Sequence, residues 1–70
     1  MMPLMMARMG EVQSIKKITG KDDAKQFLKN LGFVEGSEIT IISQIQGNVI
    51  VKIKDSRIAI SKSMANRIMV

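Results

Sequence analysis

Residues 37–61 read SEITIISQIQGNVIVKIKDSRIAIS, and no other stretch limits the possible folds so strongly. Two tight-turn signals divide it into three runs of alternating residues. In the first run Ile39 and Ile41 alternate with Glu38 and Thr40, which puts the two sets on opposite faces of a strand. Ile42 breaks the alternation, so the strand over 37–45 is bent or covered on both faces. The tripeptide QGN at 46–48 is a hairpin signal, because Gly47 accepts a positive φ. Val49, Val51 and Ile53 then share one face, with Lys52 and Lys54 on the other. Asp55-Ser56 predicts a second tight turn. The third strand, 57–61, turns Ile58 and Ile60 inward and Arg57 and Ala59 outward. Three hairpin-linked strands cannot hide their apolar faces as a flat sheet, so they need a partner layer or closure into a barrel.

The preceding residues supply a strand and a helix. Glu11 to Ile18, EVQSIKKI, places Val12, Ile15 and Ile18 in an imperfectly alternating strand, with room for a bulge. Thr19-Gly20 turns the chain. From Asp22 the period changes: Ala24, Phe27, Leu28 and Leu31 form one helical stripe, which places Phe27 and Leu31 in the core. Asp22 or Asp23 is expected to cap this helix, with Asp23 and Gln26 at capping-box spacing. Gly32 follows the stripe where a left-handed residue ends many helices. Phe33 is expected to pack inward as the hinge between helix and strand, while Val34 and Glu35 form a surface bend before Gly36. Ser61 or Ser63 can cap a last short helix through MANRIMV, with Met64, Ala65 and Ile68 facing the barrel. The expected fold is mainly β: a small barrel with a helix inserted after its first strand and a short C-terminal helix. An open sheet with both helices on one face is the alternative.

Composition narrows the chemistry. With 70 residues the chain is read as a single domain, 1–70. It has no cysteine and two aromatics, Phe27 and Phe33, so Ile, Val, Leu and Met must build the core. Without histidine or cysteine it lacks the usual general bases and nucleophile pairs, so it is read as a non-enzyme with no catalytic residue. No metal site or cofactor is expected: six carboxylates are dispersed, and a hard cation takes about six oxygen ligands. TGKDDAK contains the Gly-Lys pair of a phosphate loop, but Ile15 and Asp22 stand where that motif needs glycine and Ser or Thr. MMPLMMARM has its basic residue after a short apolar run, unlike a signal peptide, and its methionines are read as adaptable packing. No stretch approaches the length of a membrane span. The net charge of +5 suits an acidic partner. A basic barrel binding nucleic acid through Lys16, Lys17, Lys52 and Lys54 is the rival reading, although Phe33 alone remains as a stacking platform.

Three pieces of the chain, taken in order, resemble one family. LGFVEGSEITII, with Leu31, Gly32, Phe33 and Gly36, is similar to the helix–strand joint of ferrous iron transport protein A, FeoA. KDSRIAISKSMANRIMV, with Arg57, Ala59, Ile60, Ala65 and Ile68, resembles its closing segment. PLMMARMGE, with Pro3, Leu4, Gly10 and Glu11, resembles its opening. Glu35 stands where the family commonly has proline. The resemblance implies an SH3-like barrel, a cytoplasmic location and a partner: the membrane transporter FeoB, whose cytosolic region carries a GTPase domain. It also implies a family-level association with transition metal ions, and likeness to a C-terminal module of some metal-dependent repressors. On this reading Val34, Glu35, Met64 and Ile68 are candidate partner contacts, and Leu31, Gly32, Phe33 and Gly36 maintain the fold. Self-association is left open.

Overall fold

Alternation, turn residues and the helical stripe translate into a definite order of elements in the computed structural model, which describes residues 1–70. A 3-10 turn (Leu4–Met6) precedes β1 (Val12–Ser14), β2 (Lys17–Ile18), α1 (Asp22–Asn30), β3 (Glu38–Ile45), β4 (Asn48–Ile53), β5 (Ser56–Ser61), α2 (Lys62–Ala65) and β6 (Ile68–Met69). The strands pair antiparallel in two sheets, one in the order β1-β3-β4-β5 and a smaller one of β2 and β6. The open sheet with both helices on one face is thereby excluded. No helix is long and apolar enough to cross a membrane.

The meander follows its pattern closely. Gln46 and Gly47 join β3 to β4 with both residues at positive φ, which matches the twist of the flanking strands. The register shifts between Ile41 and Ser43, so the residue that broke the alternation, Ile42, sits in a bulge that bends β3. Ile39, Ile41, Val49, Val51, Ile53 and Ile60 are buried, while Lys52, Lys54 and Arg57 are exposed. The second turn falls one residue early, at Lys54-Asp55, because Ser56 already pairs with Ile53.

The first strand corrects the reading of 11–18 as one element. At Ile15–Lys16 the chain changes sheets. The Ile15 N–H donates to Ser37 O (2.9 Å) on one side, and the next amide, Lys16 N–H, donates to Met69 O (2.7 Å) on the other. A strand that switches sheets makes a barrel corner, and the pivot, Ile15, is buried. Val12 lies before the corner on the outer face and is exposed.

The C-terminal segment differs more. α2 begins as expected, with the Ser61 Oγ accepting from Met64 N–H at 3.2 Å. It ends at Ala65, and Ile68 belongs to a strand rather than to the helix. A helix this short has few internal bonds to offer. The exposed edge of β2 offers a ladder instead: Thr19 N–H donates to Arg67 O (2.7 Å), and Ile68 pairs with Ile18. Beyond it Met2 and Val70 exchange two backbone bonds of 2.8 and 2.7 Å. Both chain ends are thus fastened into the barrel wall. Thirteen apolar residues form one core, and no polar side chain is buried in it. Of the N-terminal methionines, Met2 and Met5 pack against this core, whereas Met1, Met6 and Met9 are exposed, so the packing role holds for Met2 and Met5 and not for Met6 and Met9.

Candidate docking surface

The joint after α1 is built on Gly32. Leu31 caps the helix, Gly32 takes φ 103°, and two bonds close the end: Phe33 N–H to Leu28 O at 3.0 Å and Gly32 N–H to Lys29 O at 3.0 Å. These are the paired bonds of a Schellman motif, which brings the residue after the glycine onto the helical residue three before the cap. Those residues are Phe33 and Leu28, and both are fully buried in the core. Phe33 is therefore the hinge that the sequence suggested.

The same geometry corrects two assignments. Leu28 is the one buried residue of α1. Phe27 lies about 100° round the axis from it and remains 53% exposed. Leu31, on the same side, is 36% exposed, so neither belongs to the core in which the stripe placed them. A short helix lying across a barrel buries only the line that touches the sheet, and the flank of a wide apolar stripe stays outside. Phe27 and Leu31 are four residues apart and so are surface neighbours on one flank. The Leu28–Phe33 pairing was available from the glycine's position and marks Leu28 as the inward residue. Counting apolar residues in the stripe obscures that. The acidic residues also move. Lys21 is the N-cap and makes no side-chain cap bond, while Asp22 and Asp23 occupy the first turn, where their charge meets the positive end of the helix. Gln26 bonds Asn30 (2.8 Å) rather than closing a capping box.

On the other flank of α1 runs a groove of about 500 Å³. Ile18, Phe33 and Val34 give it an apolar lining, and Lys25, Lys29 and Glu35 are among its charged residues. Val34 is half-buried and Glu35 exposed, so these two expected contacts do meet in one place. The other two do not join them. Met64 packs against the core from α2, which lies on β4, β5 and the N-terminal turn. Ile68 is fully buried and offers no side chain to a partner. Residues read as fold-critical separate similarly: Gly32 and Gly36 both hold positive φ and Phe33 is buried, but Leu31 faces outward.

A second, smaller hollow of about 240 Å³ lies on the outer sheet face, lined by Val12, Glu38, Thr40, Lys52 and Lys54. Here a carboxylate stands among the lysines of the expected basic strip. Phe33, the aromatic left for base stacking, is inside the core. No three His, Cys, Asp or Glu side chains gather where they could hold a metal ion.

A candidate Fe(2+) transport protein A of Methanocaldococcus jannaschii is 40% identical over 70 residues, covering 100% of this chain and 85% of the relative. The crystal structure of an iron uptake regulatory protein (FeoA) superposes with a TM-score of 0.85 at 28% identity, covering 96% of this chain and 89% of that one. The FeoA of Stenotrophomonas maltophilia, crystallised with zinc and described as a procaryotic SH3 domain protein, has a TM-score of 0.84 at 21% identity, over 99% of this chain and 88% of its own. The fold is therefore the SH3-like barrel of these structures. The model of the FeoA domain matches residues 2–70, so the chain belongs to the FeoA family.

Proposed function

We propose that this chain is an accessory protein of ferrous iron transport that works by docking on the cytosolic region of a FeoB-type membrane transporter. The observation that carries the docking site is the exposed pair Phe27 and Leu31. The core is complete without them, and water contact with a half-exposed phenyl ring is unfavourable until a partner covers it. A helix flank with apolar anchors at i and i+4 suits a groove on another protein. Val34 and Glu35 extend the surface round the end of the helix. Docking acts in the cytoplasm and modulates uptake without chemistry on this chain. The family is one of transport accessories rather than enzymes, in keeping with an inventory that has neither His nor Cys.

Calorimetric titration of the transporter's isolated cytosolic region tests this. The wild-type chain should bind. Phe27→Asp should weaken binding at least about tenfold, because a central anchor loses its contacts and a charge must be desolvated. Its melting temperature should stay near that of the wild type, since residue 27 is outside the core. Equal binding by Phe27→Asp and Leu31→Asp would remove α1 from the interface.

A further inference from the structure

The free edge of the larger sheet is a second surface, independent of α1 and of any transporter. In the order β1-β3-β4-β5, strand β5 has no neighbour on its outer side. It has six residues and pairs with β4 without a register shift. Lys54 and Asp55 alone join the strands, so Ile53 and Ser56 form a hydrogen-bonded pair. Hydrogen-bonded and non-bonded pairs then alternate. Ser56, Ile58 and Ile60 direct their backbone groups at β4, and Arg57 and Ala59 direct theirs away. The preceding hairpin gives the same parity, because its closing pair, Ile45 and Asn48, sends Asn48 and Ile50 toward β3 and leaves Val49 and Val51 for β5. No backbone bond outside the ladder involves residues 56–60. Proline, a bulge, a covering loop and charged side chains are among the devices that blunt an edge. β5 has no proline and no bulge, and a single charged side chain, Arg57, stands along it.

Charge selects what can pair there. Lys54, Arg57 and Lys62 are exposed before, along and after the strand, and Lys52 lies opposite Arg57. Asp55 is the only acid between residues 54 and 62. A second copy would bring two such cationic edges together, which like charges across a ladder oppose. We propose that β5 accepts an acidic extended segment of another protein by strand addition, with the backbone of Arg57 and Ala59 supplying the hydrogen bonds and the flanking cations supplying the preference.

Titrating the isotope-labelled full chain with a synthetic peptide alternating Val and Glu, and with its Val and Lys counterpart, tests the proposal by amide resonances. The acidic peptide should move the signals of Arg57 and Ala59, and the basic one should not. Ala59→Pro removes an outward N–H at an edge position that tolerates proline, and should weaken the acidic peptide at least about tenfold. Arg57→Glu leaves Lys52, Lys54 and Lys62 in place and should weaken the acidic peptide without abolishing the preference, while the triple change Lys54→Glu, Arg57→Glu and Lys62→Glu should reverse it, which decides the matter even if the proline variant does not fold. Shifts centred elsewhere, or a folded Ala59→Pro chain that binds unchanged, would overturn it. Broadening of the same two signals with protein concentration alone would give the edge to a second copy instead.

Discussion

Gly32 shows how one residue sets both the fold and the surface. Apart from its own chain neighbours, no atom lies within 4 Å of where a Cβ would stand, so a side chain there meets no packed wall. The cost of replacing it is conformational: at φ 103° a β-branched residue is strained. Gly32→Val should therefore lower stability by about 1–3 kcal/mol, and a denaturant melt with unchanged midpoint would disprove this. The residue after it behaves differently. Phe33 has lost nearly all contact with water, and Phe33→Ala should cost about 3–5 kcal/mol through transfer and cavity terms together. Phe27→Asp should leave the melt nearly intact. The two phenylalanines of this chain thus make an internal control, one read by stability and the other by binding.

At the scale of elements, the legible parts were those fixed by short-range chemistry. The hairpin at Gln46-Gly47, the glycine stop after α1, the inward set Val49, Val51 and Ile53, and the Ser61 cap all follow from a few neighbouring residues. Long-range competition decided the rest. Nothing local in EVQSIKKI says that Ser37 bonds one side of the Ile15–Lys16 corner and Met69 the other. Likewise IMV at 68–70 has apolar residues that suit a helix face or a strand, and the free edge of β2 chose the strand. The proposed docking surface was half legible: the bend put Val34 and Glu35 at the surface, whereas the exposed flank of α1 was hidden by a stripe wider than the line the barrel covers. The reassignment of Ile68 has a measurable consequence. As a buried member of the closing strand, Ile68→Ala should destabilise by about 2–5 kcal/mol. As a partner contact it would instead have weakened docking with the melt unchanged, and thermal scans of the variant separate the two.

For the molecule as a whole, the question is which force brings a partner to a chain of net charge +5. Metal bridging is the first option to test. With no converging donor set, the purified chain should bind ferrous iron more weakly than micromolar, and a stoichiometric micromolar isotherm would contradict that. Electrostatics is the second. Binding to a DNA backbone releases counterions, so its affinity falls with salt at a log–log slope of about −0.9 per phosphate contacted. Such binding needs a continuous cationic track, and for single strands exposed aromatic platforms. Here Glu38 interrupts the lysines of the outer sheet face, and Phe33 is sealed in the core. The proposed docking through Phe27 and Leu31 would rest on apolar area removed from water, which salt does not screen. Charge would then act on the rate of encounter more than on the stability of the complex. Affinity for the transporter's cytosolic region should accordingly change by less than about threefold between low and physiological salt, a small loss beside the ~10³-fold or greater loss of a protein contacting many phosphates. The association rate should slow over the same range if the partner surface is acidic. A steep log–log loss of affinity, with Phe27→Asp binding as well as the wild type, would move the interface from the helix flank to the basic strands.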